Sequence, residues 1–390
     1  MTRLSRHLAS AACLAALAAA AAGCGSAAPA HQASKVVTPP AIPLSTATTT
    51  TVGTWATVVM GGSAAQYNNF WELFIRPAGA SSWTLVTPPG TADNGGLVLA
   101  AGAGPSAITA FRPSQDLTYT PLIQTSDSGH LWTALSPLDA PLASTPAALA
   151  VRQDGSGQVL ALTANGTAVQ ASPGATRWTT LASARTLAAT QAGRQCGVRA
   201  LTAAAYLPSG APLLAGACSR PGTAGLFVDQ DGSWQAASLD LPPSMAGQDI
   251  TVLRVLTATN QTVALLQAGN GRHTSLLAAW SGLAAGQWTI SVPLELHGTA
   301  LTSASFGTAG SVAAVTGAGS AAVITRGARS WQRLPTLPPG TSTIALAAAG
   351  PADALAVHGS TLIVWQLPAG GQAWTRAQVI NVPIQYGSSG

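Results

Sequence analysis

The sequence predicts an all-β protein, a seven-bladed β-propeller with six and eight blades as the neighbouring counts. Three observations carry this. First, seven tryptophans stand in one setting, each just after a glycine-bearing turn that follows a short apolar strand: Trp83, Trp132, Trp178, Trp234, Trp288, Trp331 and Trp374. Their spacing runs from 43 residues (Trp288 to Trp331) to 56 (Trp178 to Trp234), the length of a four-stranded blade. Second, the segments between them alternate apolar strands with Gly or Asn-Gly turns, as in Gln158–Thr163 and Ser311–Thr316, and no continuous amphipathic helical pattern follows Cys24. Third, the strands are rich in Ala, Val and Leu, and small residues suit the crowded strands near a propeller axis. A pair of β-sandwiches is the competing architecture, but it needs no long regular period.

From the N-terminus, Arg3, Arg6 and His7 precede an apolar run, Leu8 to Ala22, too short to span a bilayer as a mature helix. Ala21-Ala22-Gly23-Cys24 then supplies small residues before a cysteine. This resembles the bacterial lipoprotein signal, with Ala21 where Leu is usual. The resemblance implies cleavage after residue 23, acylation of Cys24 and a membrane partner through that cysteine; an ordinary cleaved signal is the other reading. Several acyl chains on one residue anchor stably where one does not. Residues 24–52 are rich in Ala, Pro, Ser and Thr and read as a disordered tether. The propeller is expected over residues 53–390.

That leaves about 340 residues for one large repeat fold or two ordinary domains. Charged residues make up 7% of the chain and Lys35 is its one lysine, against a usual charged share of about 25%. The net charge of +5 is spread thinly, with no basic run among aromatics, so nucleic acid is not an expected partner. Ring closure is expected to pair the Thr54–Val59 strand with the region Gln378–Val382, removing exposed sheet edges.

Of four cysteines, Cys13 lies in the signal and Cys24 is the anchor. Cys196 and Cys218 remain, an even pair in an oxidising compartment, and a disulfide is expected between them; two free thiols are the alternative. Regular pairing about the turn Pro208–Ala211 sets Cys218 near Leu201, so Cys196 reaches it only if the preceding loop folds back.

The most complete of the tryptophan turns is the octet Thr125-Ser126-Asp127-Ser128-Gly129-His130-Leu131-Trp132. Asp127 can accept from backbone N–H groups two residues on, Thr125 adds a local hydroxyl, Gly129 can take a positive φ, and Trp132 can fold over the hairpin. These residues resemble the Asp-box, the bacterial neuraminidase repeat of β-propellers, at every fixed position. In that family the box stabilises the fold on the rim away from the ligand face, so a structural role is what the resemblance implies here.

The resemblance also raises exo-sialidase activity, which takes three arginines, a Tyr–Glu nucleophile pair and an Asp acid/base. The chain holds only Glu72 and Glu295, and only Tyr67, Tyr119, Tyr206 and Tyr386. Phe74-Ile75-Arg76-Pro77 scrambles the family's Phe-Arg-Ile-Pro, and Arg76 falls on the outer hairpin by the blade reading. The sequence lacks the Gly-x-Ser-x-Gly elbow of a serine hydrolase. His130, His273, His297 and His358 stand apart, so no metal is expected. Asp229-Gln230-Asp231-Gly232 reads as a shortened turn octet, or faintly as a calcium loop without its later ligands. Tyr67-Asn68-Asn69-Phe70-Trp71 has two readings: Tyr67, Phe70 and Trp71 stack on a sugar or peptide, or they cover the core.

The expected function is therefore a monomeric, lipid-anchored envelope module that binds or scaffolds a glycan or protein, without catalysis and without a cofactor. A sialidase-like glycosidase is the alternative. A solute-binding lipoprotein stands third, since it would need two α/β lobes.

Overall fold

The computed structural model describes residues 46–62, 69–88, 97–102, 104, 106–111, 122–134, 142, 145–237, 239–258, 260–269, 273–282, 287–347 and 352–383. The predicted signal, Cys24 and Tyr67 lie outside them, as does the expected tether as far as residue 45. The strands fall into antiparallel units of successive neighbours. The first holds β1 (Thr46–Thr50), β2 (Gly53–Gly61), β3 (Asn69–Pro77) and β4 (Thr84–Leu85); the second holds β5 (Leu97–Ala101), β6 (Ala107–Phe111), β7 (Leu122–Thr125) and β8 (Thr133–Ala134). The third holds β9 (Ala148–Val151), β10 (Val159–Leu162), β11 (Thr167–Ala171) and β12 (Thr179–Ser183); the fourth holds β13 (Val198–Tyr206), β14 (Pro212–Cys218), β15 (Gly225–Gln230) and β16 (Ser233–Ala236). In the fifth, β17 (Asp249–Ala258), β18 (Gln261–Gly269) and β19 (Thr274–Ser281) precede an outer strand interrupted between β20 (Trp288–Ile290) and β21 (Leu294–Glu295). The sixth holds β22 (Leu301–Phe306), β23 (Val312–Thr316), β24 (Ala321–Ile324) and β25 (Gln332–Arg333); the seventh holds β26 (Thr341–Leu346), β27 (Ala352–His358), β28 (Thr361–Leu367) and β29 (Thr375–Asn381). The fold is a β-propeller.

The core is a set of layers between units. Trp55, Leu73 and Val86 of the first unit meet Leu97 and Ala107 of the second. Comparable layers join second to third, third to fourth, and on to sixth and seventh. A last layer joins seventh to first, where Leu355, Leu362 and Val364 meet Ala56, Val58 and Phe74. Middle strands such as β10, β14, β18 and β23 are buried on both faces, which is why the sequence shows near-continuous apolar runs and so few charges, while outer strands such as β8, β25 and β29 are largely exposed.

The closure differs from the expected strand pairing. Thr54–Val59 lies in β2, whose two edges are taken by β1 and β3, and Gln378–Val382 pairs with β28 instead. Side chains close the ring. Asp353 of β27, fully buried, accepts from Arg76 and from the Trp83 indole Nε1 at 2.7 Å, and Arg76 lies over the Trp83 ring at 5.5 Å. The Gln378 amide clamps the Trp83 backbone, accepting from its N–H at 2.7 Å and donating to its carbonyl at 2.8 Å. Gly61 N–H donates to the Gly359 carbonyl at 2.9 Å. Arg76 thus lies on the β3–β4 hairpin as expected, but buried, as a closing residue.

The expected tether ends earlier than residue 52. The threonine run, read as low complexity, contributes to β1, the innermost strand of the first unit. β-Branched Thr fits a pleated strand, and here the hydroxyls have partners: Thr49 donates to the Leu346 carbonyl, and the Thr46 and Thr57 hydroxyls pair at 3.2 Å.

The structure contains the disulfide Cys196–Cys218, with Cα atoms 5.2 Å apart. Two short helices, α1 (Ala184–Ala188) and α2 (Gln191–Cys196), fold the chain back to it. Ser183 caps α1, Thr190 caps α2, and Gly197 ends α2 with φ 66°. Two bulges in β13 place Cys218 opposite Val198 rather than near Leu201, which shortens the gap that regular pairing would leave. A loop of 22 residues constrained this way contributes about 3 kcal/mol. Among the described residues no helix is long and apolar enough to cross a membrane.

Arg76→Met should strip Asp353 of its cation and lower stability by about 3–5 kcal/mol, whereas Arg76→Met with Asp353→Leu should recover most of the loss. Urea and thermal denaturation of the two variants beside the parent protein check this.

Candidate functional site

The seven tryptophans are places where one unit fastens to the next. Trp83 belongs to the seventh–first layer, Trp132 to the first–second, Trp178 to the second–third and Trp234 to the third–fourth. Trp288, Trp331 and Trp374 follow in the layers after these. Trp132 Nε1 donates to the Val86 carbonyl at 2.8 Å, Trp331 to Val292 at 3.0 Å and Trp374 to Pro335 at 3.4 Å. Trp132 therefore reaches into the preceding unit, not back over its own hairpin.

Within the octet, the Thr125 hydroxyl donates to Asp127 at 2.7 Å and accepts from Gly129 N–H at 2.9 Å, and Asp127 accepts from Leu131 N–H at 2.9 Å. The bond spans four residues rather than the expected two, because Ser128 (φ 63°) and Gly129 (φ 89°) are both left-handed and tighten the turn. A Cβ on Gly129 would lie 2.7 Å from the Val86 Cβ, so only glycine fits. Those bonds to Leu131 and Thr125 hold the Asp127 carboxyl below its usual range. Asp229–Gly232 forms an analogous small turn: Asp231 and Gly232 have φ 53° and 84°, and Gly232 N–H donates to Asp229 at 2.9 Å. Among the described residues no His, Cys, Asp and Glu cluster could hold a metal.

Phe70 and Trp71 sit on β3 with opposite faces. Trp71 is 7% exposed in the first–second layer, and Phe70 packs on the seventh–first layer. Alternate residues of a doubly covered strand both face apolar layers, so both rings pack between units. Beside them Glu72 is fully buried; one oxygen accepts from Thr87 and the other has no partner. Burial raises its carboxyl pKa, opposed by the Thr87 bond. Tyr206 is also buried, in the third–fourth layer, and burial raises its phenol pKa. Among the described residues, then, Tyr206 and the two glutamates lie at separate places and form no Tyr–Glu pair.

A small cleft lies elsewhere. In an antiparallel unit the first–second and third–fourth turns lie at one end, and the second–third turns and unit-to-unit connections lie at the other. The tryptophan turns are third–fourth turns. The turn at 316–320 and the connection at 296–300 therefore define the opposite, connection face, where Gly317 N–H donates to the Ala300 carbonyl at 2.8 Å. Between them opens a cleft of about 210 Å3 with Leu294 and Ala321 on its apolar side and Glu295, His297, Ser320 and Arg333 as polar groups.

Local folding places these groups. Glu295 pairs with Ser275 across β19, and its Oε1 accepts from the Ser275 hydroxyl at 2.8 Å. His297 (φ 48°) and Gly298 (φ 79°) form the centre of a tight turn closed by Thr299 N–H to the Leu296 carbonyl at 2.9 Å. Arg333 lies opposite Ala322 on β25 and makes no ion pair among the described residues. The sequence named Glu295 and His297 separately but did not join them. The Glu-Leu-His-Gly order beside a strand end was the available signal.

No family model matches the chain, and no curated protein matches it in sequence. A solved protein from Lactobacillus plantarum is 12% identical, with a TM-score of 0.52, over 85% of this chain and 97% of that one. That similarity is one of fold. More distant are YCF48 bound to D1 peptide (15% identity, TM-score 0.46, 82% and 92% covered) and the fucose-specific lectin of Aleuria aurantia (13%, 0.42, 88% and 96%).

Thr125→Val should leave the buried Gly129 N–H without an acceptor and cost about 1–3 kcal/mol, seen as a lower melting temperature. A second outcome concerns Glu72. A carboxyl with a raised folded pKa holds its proton more tightly when folded, so stability is complete below the ordinary Glu range and falls as pH rises through the folded pKa. Glu72→Gln should therefore raise the melting temperature near pH 8, with the gain fading by pH 4 in a pH series of melting curves.

Proposed function

We propose that this protein is a lipid-anchored, extracytoplasmic binding module of a bacterial cell envelope, holding one residue of a glycan or protein ligand on its connection face. The observation that carries this reading is the cleft between the fifth and sixth units. Its volume, about 210 Å3, lies below the about 300–1,000 Å3 of pockets that enclose a drug-sized molecule, so it suits a single sugar ring or peptide residue of a longer ligand. Among the described residues Arg333 has no ionic partner and offers its donors, Glu295 keeps an oxygen beyond its Ser275 bond, and the apolar side can take a ring face or a methylene edge. The anchor rests on Ala21-Ala22-Gly23-Cys24, and the protein acts as a monomer.

A sialidase-like glycosidase is the second reading, favoured by the octet's resemblance to the Asp-box. The two separate in one experiment. The soluble domain Ser26–Gly390 is applied to glycan and envelope-peptide arrays beside a fluorogenic sialoside assay, with Glu295→Gln and Arg333→Ala variants alongside. Binding without turnover, weakened at least tenfold in both variants while their melting temperatures hold, is expected. Sialoside turnover would replace the binding reading, and binding indifferent to both substitutions would remove the cleft from it. For the anchor, Cys24→Ser should shift the full chain from the membrane fraction to the soluble one; an unchanged distribution would count against it.

A further inference from the structure

The innermost strands meet around a cation. Arg254 lies midway along β17, at a bulge where the register with β18 shifts between Val252 and Arg254. Its guanidinium bridges two other innermost strands: Nη1 donates to the Ala304 carbonyl of β22 at 2.8 Å, and Nη2 donates to the Thr48 hydroxyl of β1 at 3.3 Å. The Phe306 ring lies 5.1 Å from it. Around this point the same strands are tied by neutral groups. The Ser303 and Thr343 hydroxyls pair at 2.6 Å, Ala47 N–H donates to the Ser305 hydroxyl at 3.1 Å, and β1 bridges β22 directly at Thr48 and Phe306.

What is missing is an anion. Among the described residues the ion pairs are Arg76–Asp353 and Arg152–Asp154, so the contacts of Arg254 are a carbonyl, a hydroxyl and a ring. A guanidinium has five N–H donors in a planar fork, and two are used here. The residue as a whole is half-buried. Burial is deep enough to draw its pKa down to about 10. A desolvated cation without a counter-charge costs several kcal/mol, and a role as a mere strut between strands would be served as well by a neutral donor.

We propose that Arg254 forms the base of an axial site for a single oxyanion, a carboxylate or a phosphate, received by the free side of its fork and flanked by the Thr48 hydroxyl. The fork matches two oxygens of either group. The site is separate from the cleft between the fifth and sixth units, and either can fail without the other.

The test uses the full soluble domain with its disulfide intact. Sodium phosphate and sodium acetate are titrated separately by isothermal calorimetry, at fixed ionic strength made up with sodium methanesulfonate. Saturable binding of one anion per chain is expected, weakened at least tenfold in Arg254→Lys, which keeps the charge and loses the fork, and abolished in Arg254→Met. Phosphate alone, acetate alone or both saturating names the source of the oxyanion and supports the site. Absence of saturable heat with the parent protein overturns it, a result that needs no variant to fold. Saturable binding of equal strength in Arg254→Lys, with melting confirming a folded variant, also overturns it by placing the anion elsewhere.

Discussion

The buried carboxylate of Asp353 is the interaction on which the ring depends. Every other junction between neighbouring units has a covalent connection crossing it; the junction between the seventh and first has none. Its apolar layer gives adhesion without fixing a register, because dispersion and the hydrophobic effect have little direction. A charge with no exposure to water behaves differently. Removed from solvent, it is tolerated only where its partners are in place, and here these are Arg76 and the Trp83 indole, both from the first unit. Gln378 then fixes the height of Trp83 by holding both polar atoms of its backbone. Asp353 makes the correct closure the favoured one by making slipped closures costly.

The tryptophans show the same logic repeated. Trp132, Trp331 and Trp374 each donate from the indole to a carbonyl in the preceding unit. Trp83 follows no earlier unit in the chain, and its indole turns to the last one, where a side-chain oxygen takes the place of a carbonyl. This type of contact thus recurs at Trp132, Trp331 and Trp374 and again, at Trp83, across the break in the chain. It needs a turn that aims the ring outward from its own hairpin, and the left-handed residues of the octet provide one such aim.

Near the axis the chemistry changes from apolar to hydroxylic. Ala, Ser and Thr recur on the innermost strands, and the hydroxyls there bond to carbonyls and to each other between units. Arg254 brings a cation among them. The interrupted outer strand of the fifth unit opens the cleft at Glu295 and His297, and the bulge beside Arg254 in β17 has counterparts in β13, β22 and β26.

Much of this was legible in the order of residues. The glycine-then-tryptophan corners, the apolar strands and the scarcity of charge gave an all-β propeller, since turn chemistry and doubly covered strands are local properties written in consecutive residues. Parity and compartment pointed to Cys196 and Cys218. Pairings across long separations were not legible. Arg76 and Asp353 are 277 residues apart, and nothing near either marks the other. The threonines of β1 look like a linker because several of their partners lie in the fifth, sixth and seventh units, and the bulges that bring Cys218 opposite Val198 leave no trace in composition. Local sequence set the turns, the strands and the faces they bury; the tertiary structure alone chose which polar groups meet, because a buried hydrogen bond requires both partners to arrive together.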